Sequence, residues 1–127
     1  MVKILVVEDD TVLSSIMMRS LSTAGYEVQA ALDGFTAELD AKDWHPDLML
    51  LDMLLPDKDG WDILAHLRAN SDTLNIKVIV LSNLSDSETL EKVRKFNIVD
   101  YFIKANTTPG EVVKKIQEIF PQPKPAV

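Results

Sequence analysis

The sequence predicts an α/β protein: a three-layer α/β/α sandwich around a five-stranded parallel sheet. Three observations carry that prediction. Short apolar runs alternate with segments of helical periodicity along the chain, the pattern of repeated strand–helix units. Two of the runs, Leu48-Met49-Leu50-Leu51 and Val78-Ile79-Val80-Leu81, are continuously apolar, as befits strands covered by helices on both faces. Four runs end on reactive polar side chains: Glu8-Asp9-Asp10, Asp52, Ser82 and Lys104.

The first strand is Val2 to Val7. Leu13, Ile16, Met17, Ser20, Leu21 and Ala24 follow at helical spacing, and Gly25 supplies the stop. Tyr26 to Ala31 is the second strand; Glu27 and Gln29 alternate with Val28 and Ala30, so one face is wet and the strand lies at an edge. Residues 34–43 form a polar, weakly patterned second helix. Pro46 closes it, because the residue before a proline is steered away from helical geometry. The third strand ends at Asp52, and the third helix starts near Asp59-Gly60 with Trp61, Leu64 and Leu67 on one stripe.

The fourth strand, from Lys77 to Leu81, ends on Ser82. Ser85 and Glu88 have capping-box spacing ahead of Leu90, Val93 and Phe96 in the fourth helix. Tyr101 to Ile103 is the short fifth strand, ending on Lys104. Thr108-Pro109-Gly110-Glu111 places a capping Thr, an N1 Pro and a Glu three residues past the cap at the head of the fifth helix. Val112, Val113, Ile116, Ile119 and Phe120 form its buried stripe. Pro121 to Pro125 stops that helix, so the expected domain is 1–120, with 121–127 a proline-rich tail or linker stub. Right-handed crossovers put helices on both faces. With the second and fifth strands at the edges, the order 2-1-3-4-5 of a flavodoxin-like, doubly wound sheet follows.

At 127 residues, with 46 % apolar and 26 % charged side chains, the chain has the balance of one globular domain. It has no cysteine, which excludes disulfides and thiolate metal sites. Its apolar runs are far shorter than the roughly twenty residues that span a bilayer, and the acidic triplet comes too soon for residues 1–7 to read as a signal peptide. A cytoplasmic protein without membrane contact is expected. The net charge of −7 argues against direct nucleic-acid binding, which needs a basic face. The charge is uneven: residues 1–72 carry 14 acidic and 5 basic side chains, residues 73–127 carry 6 and 8. The mildly basic half is a candidate partner surface, while any single charge there reads first as a solvated helix charge.

Parallel strands bring their C-terminal ends to one sheet edge, where ligands of such folds bind. Carboxylates, a hydroxyl and an ammonium gathered there suit a divalent cation and a phosphoryl group. Mg²⁺, or Mn²⁺ in its place, takes oxygen ligands from one or two carboxylates plus a phosphate. Asp9, Asp10 and Asp52 are the expected metal ligands, although Asp10 serves equally well as a helix cap. Asp52 directly follows four apolar residues, where an unpaired carboxylate is costly to bury, and it is the expected nucleophile. Ser82 and Lys104 would bind phosphoryl oxygens. His45 and His66 show no ligand partners in the pattern, and Trp44 and Trp61 read as packing residues.

Ile4-Leu5-Val6-Val7-Glu8-Asp9-Asp10, Pro46 to Pro56 with Asp59-Gly60, and Asp100-Tyr101-Phe102-Ile103-Lys104 together resemble the receiver domain of two-component response regulators, over residues 2 to about 120. The resemblance implies Asp52 as phosphoacceptor, Asp9, Asp10 and the backbone carbonyl of Leu54 around Mg²⁺, Ser82 as switch hydroxyl, Lys104 as the phosphate-pairing lysine and Tyr101 as switch aromatic. It implies phosphate from a histidine kinase or phosphotransfer protein, and a regulatory rather than enzymatic role. The output would pass through the fourth helix, fifth strand and fifth helix to a partner, an effector domain or a phosphorylation-dependent homodimer, with Lys92, Arg94, Lys95, Lys114 and Lys115 as contacts.

The chain departs from the family at two positions. Asn83 follows the switch hydroxyl where Ala or Gly is usual, and Ala105 follows the lysine where a cis proline is usual. A cis bond without proline costs about 2.5–4 kcal/mol, so the loop is expected to be strained or else trans and rearranged. The rival readings are a pseudo-receiver that binds without phosphorylation and a phosphatase of the haloacid dehalogenase type. The latter resemblance needs a second Asp two positions after the first, where Leu54 stands.

Overall fold

Ile4, Leu5, Leu48 to Leu51 and Val78 to Val80 are all buried, which places their strands at the centre of a sheet covered on both sides. The computed structural model describes residues 1–84 and 87–121. Strands β1 (Lys3–Val7), β2 (Glu27–Ala31), β3 (Leu48–Leu51), β4 (Lys77–Ser82) and β5 (Asp100–Ile103) are parallel, in the order β2-β1-β3-β4-β5. The helices are α1 (Thr11–Thr23), α2 (Gly34–Asp43), α3 (Gly60–Ala69), α4 (Ser87–Arg94) and α5 (Pro109–Ile119). Fold class, strand order and edge assignments are those expected from the sequence.

The period of two along each strand divides the core. Leu5, Val7, Met49, Leu51, Val78 and Val80 pack with Ala37, Ala41, Ile63, Leu64, Leu67 and Val93 of α2, α3 and α4. Ile4, Val6, Leu48, Leu50 and Ile79 pack with Met17, Leu21, Val112 and Ile116 of α1 and α5. Register pairs Val7 with Leu51 and Ser82 with Ile103, so the strand ends share one edge.

The helix ends follow their local chemistry. Gly25, at φ 100°, accepts the left-handed geometry that closes α1, and the Tyr26 amide reaches back to the Leu21 carbonyl. The Thr108 hydroxyl accepts from the Glu111 amide at 3.2 Å, with Pro109 at the first position of α5. The Ser85 half of the predicted capping box lies outside the described residues, as do residues 122–127 of the tail. The buried face of α1 is Ser14, Met17 and Leu21, while Leu13 and Ile16 are 42 % and 44 % exposed. These two flank a cavity of about 90 Å³ between α1 and α5 that reaches Glu8, Asp52 and Lys104.

Two polar devices have no signature in the sequence pattern. The Arg68 guanidinium donates to the carbonyls of Phe96 (2.7 Å), Ile76 (2.8 Å) and Leu74 (3.0 Å), tying the end of α3 to the segments around β4 and β5. The β3–α3 connection is fastened to α2. Asp57 accepts from the amides of Gly34 (2.7 Å) and Phe35 (2.9 Å), at the positive end of the helix dipole, and those bonds hold its carboxyl below the usual range. Lys58 pairs with Glu38, which also meets His66 of α3. His66 therefore has a carboxylate partner that spacing alone does not reveal. A Cβ on Gly34 would lie 2.7 Å from that of Lys58, so this approach requires glycine.

Burial alone would raise the Glu38 carboxyl, but Lys58 and His66 outweigh it and the pKa is lowered from 4.5. Stability from a depressed carboxylate is present above its unfolded pKa and is lost as pH falls through the folded value. Glu38→Gln is therefore expected to destabilise at pH 7 by no more than about 1 kcal/mol, given solvent screening of a partly exposed pair. The difference should shrink as pH falls below the unfolded carboxyl value and vanish only below the lower folded one. Urea unfolding at several pH values checks it; a penalty constant down to pH 3 would mean the contribution is packing and not charge.

Candidate functional site

Where β1 stops, Glu8 and Asp9 follow immediately; where β3 stops, Asp52 does. Backbone pairing extends one residue past both strands, with Glu8 N donating to Ala31 O and Asp52 N to Val7 O, each at 3.1 Å. Glu8 and Asp52 are thereby buried, at 6 % and 7 % exposure, while Asp9 stays exposed. Carboxylate oxygens of Glu8, Asp9 and Asp52 all lie within 4.8 Å of one another. Lys104, from the end of β5, places its ammonium 3.0 Å from Asp52 Oδ2 and 2.5 Å from Glu8 Oε1. The other Asp52 oxygen accepts from the Leu54 amide at 3.1 Å.

Asp10 is not part of this group. Its carboxylate accepts from the amides of Val12 (3.0 Å) and Leu13 (3.1 Å) as the N-cap of α1. The acidic set is thus Glu8, Asp9 and Asp52, and not Asp9, Asp10 and Asp52. Glu8 was missed because three consecutive acids do not declare which one turns inward. The signal was available: Asp10 stands two and three residues before the amides that an N-cap serves.

Burial pushes the Glu8 carboxyl up. Lys104 and the Asp10 amide oppose the shift only in part, and the Asp52 charge adds to it. Burial would lower Lys104, but the two carboxylates more than reverse it, so its ammonium is held charged. Two negative neighbours and one outward carboxylate around a single ammonium leave an excess of negative charge. Oxygen donors of this kind fit a hard divalent cation.

Ser82 is fully buried at the end of β4, its hydroxyl accepting from the Leu84 amide at 3.3 Å. Tyr101 is half-buried in β5 and donates its hydroxyl to the Leu84 carbonyl. Both side chains thus converge on residues 82–84. Leu54 is exposed and bridges to Asp59. No cis peptide occurs among the described residues; after Lys104 the chain makes one 3₁₀ turn, Lys104–Asn106, and the Asn83 Oδ1 accepts from the Ala105 amide at 2.8 Å. Of the cations on α4 and α5, Lys92 lies 5.0 Å over the Trp61 ring, and Lys115 is 3.7 Å from Asp100 and 3.8 Å from Glu118.

Fold and site define a doubly wound α/β protein with a lysine-countered acidic pocket at the carboxyl edge of its sheet. Residues 4–117 match the family model of the response regulator receiver domain, and the chain belongs to that family. It is 33 % identical over 127 residues to the phosphate regulon transcriptional regulatory protein PhoB of Rhizobium meliloti, covering 98 % of this chain and 55 % of that protein. It is 36 % identical over 119 residues to the probable transcriptional regulator ycf27 of Porphyridium aerugineum, covering 93 % and 48 %. The chain spans about half the length of such relatives. Among solved structures, the chemotaxis protein CheY4 of Vibrio cholerae shares the fold, with a TM-score of 0.86 at 23 % identity over 94 % of this chain and 99 % of that one. The receiver domain of Francisella response regulator 1452 superposes with a TM-score of 0.83 at 26 % identity, covering 94 % and 96 %. The protein is therefore a receiver domain of the two-component response regulators, and its relatives are regulators. Among the described residues no helix is long and apolar enough to cross a membrane.

Proposed function

We propose that this receiver domain is a phosphorylation switch whose acceptor is Asp52. The observation that carries the reading is the position of that carboxylate: nearly buried at the end of a central strand, among Glu8 and Asp9, and 3.0 Å from the Lys104 ammonium. Glu8, Asp9 and Asp52, with the backbone carbonyl of Leu54, would hold Mg²⁺ or Mn²⁺. A bound cation supplies neutralising charge for the carboxylates and the incoming phosphoryl oxygens.

An Asp52 oxygen attacks phosphorus on the phosphohistidine of a kinase or phosphotransfer protein. The O–P bond forms as the P–N bond breaks, and its electron pair leaves with the imidazole. Lys104 then pairs with a phosphoryl oxygen in place of the bare carboxylate, and Ser82 donates a hydrogen bond to another. Movement of Ser82 draws residues 82–84, on which the Tyr101 hydroxyl rests, and so reaches the face of α4, β5 and α5. Its output would be a downstream protein, an effector domain or a second copy. Residues 1–120 would act as the receiver unit in the cytoplasm, with proline-rich 121–127 as tail or linker and no nucleic-acid contact of its own.

Incubation with acetyl phosphate and Mg²⁺ should add one acid-labile phosphate, mapped to Asp52 by mass spectrometry. No uptake would establish the pseudo-receiver reading instead. The ligand set is tested separately. Asp9→Asn should weaken Mg²⁺ affinity at least about tenfold with little loss of stability. Asp10→Ala should instead cost about 1 kcal/mol of stability through the lost cap, with a smaller effect on Mg²⁺. Calorimetric titration and urea unfolding of both variants read the two effects; the reverse assignment would restore Asp10 as the ligand.

A further inference from the structure

Asn83 and Ala105 form a contact that either of the residues usual in this family at these places would abolish. An Ala or Gly at 83 has no side-chain acceptor, and a proline at 105 has no N–H. Here the Asn83 Oδ1 accepts from the Ala105 amide at 2.8 Å, although the residues are 22 apart in sequence. Ala105 is the second residue of the single turn, Lys104–Asn106, that ends β5. The other hydrogen bonds of this turn among the described residues are local: Thr107 N to Lys104 O at 3.4 Å and Thr107 Oγ1 to Ile103 O at 2.7 Å. Apart from the Lys104 ammonium, the Asn83 side chain is, among the described side chains, the one that ties this turn to the segment following β4.

We infer that Asn83 is a positioning residue for Lys104. By holding the peptide that follows the lysine, it sets the base from which the ammonium spans to both Glu8 and Asp52. The chain thus fixes the turn with a side-chain hydrogen bond where residue 105 lacks the φ constraint of proline. The inference deepens the phosphorylation reading and rests on it, since its consequence is felt where Lys104 meets a phosphoryl group.

The test uses beryllofluoride with Mg²⁺ as the phosphoryl probe, followed by amide NMR. In Asn83→Ala the Ala105 amide should lose its protection from exchange, and half-saturation should need about two- to fivefold more beryllofluoride, the worth of one exposed hydrogen bond. Because Asn83 acts through the lysine, the same substitution in a Lys104→Ala background should leave beryllofluoride affinity unchanged. Both residues are exposed at the contact, so Asn83→Ala should fold with and without Lys104→Ala. An equal effect of Asn83→Ala with and without Lys104, tighter binding in Asn83→Ala, or full protection of the Ala105 amide in that variant would each overturn the assignment. Failure of the native chain to bind beryllofluoride would instead sink the phosphorylation reading, so the two failures are told apart.

Discussion

Asp52→Asn should lower phosphate uptake from acetyl phosphate by about 10³-fold or more, the scale of losing a nucleophile outright. The substitution is nearly isosteric, and an amide oxygen can still accept from the Leu54 amide, so the fold is expected to survive. What disappears is the charge that Lys104 faces and, with it, the carboxylate proposed as nucleophile. Lys104 keeps Glu8 as its partner, which separates the loss of chemistry from any collapse of the pocket. Intact mass after incubation, with circular dichroism as the folding control, reads the result. Uptake equal to that of the native chain would place the acceptor elsewhere.

Gly60→Ala should destabilise the domain by about 1–3 kcal/mol, the range for overpacking a filled site. A Cβ there would lie 2.5 Å from Met53 Sδ and 2.7 Å from Met53 Cα, and a backbone atom cannot swing aside as a side chain does. Gly60 N also donates to Met53 O at 3.0 Å, so the start of α3 is seated directly on the residue after Asp52. The displacement should reach the pocket and weaken Mg²⁺ binding as well. Gly110→Ala is the control. Its Cβ would meet only Thr108 Oγ1, at 3.9 Å, and removing a helical glycine should stabilise by up to about 1 kcal/mol. Urea unfolding of both variants decides; equal and small effects would refute the close approach at Gly60.

The sheet was legible because burial on both faces leaves a plain mark: β3 and β4 read as uninterrupted apolar runs, and Asp52 stands out at the end of one. The buried arc of α1 was not legible in its spacing. Leu13 and Ile16 are as apolar as the core residues, but they border the cavity beside the pocket and not the sheet. Apolar spacing marks a helix without saying how wide its buried arc is. Glu8 was hidden by its acidic neighbours. Arg68, Asp57 and the Glu38–Lys58–His66 set were invisible because their partners are carbonyls, amides or side chains far along the chain. Asn83 and Ala105 were legible only as oddities; the bond between them, and with it their meaning, needed the fold.

The fastening of the β3–α3 connection makes the pocket asymmetric. On one side, Asp57 is locked onto the head of α2, Lys58 is braced by Glu38, and Gly60 sits flush on Met53. On the other, the exposed residues Asn83 and Ala105, just past the ends of β4 and β5, are joined by a single hydrogen bond. The arrangement is that of a vice with one fixed jaw and one sliding jaw. If Asp52 is the acceptor as proposed, a charge placed between them would do its work on the sliding side, and the signal would travel away from α2 and α3, toward the far edge of the sheet.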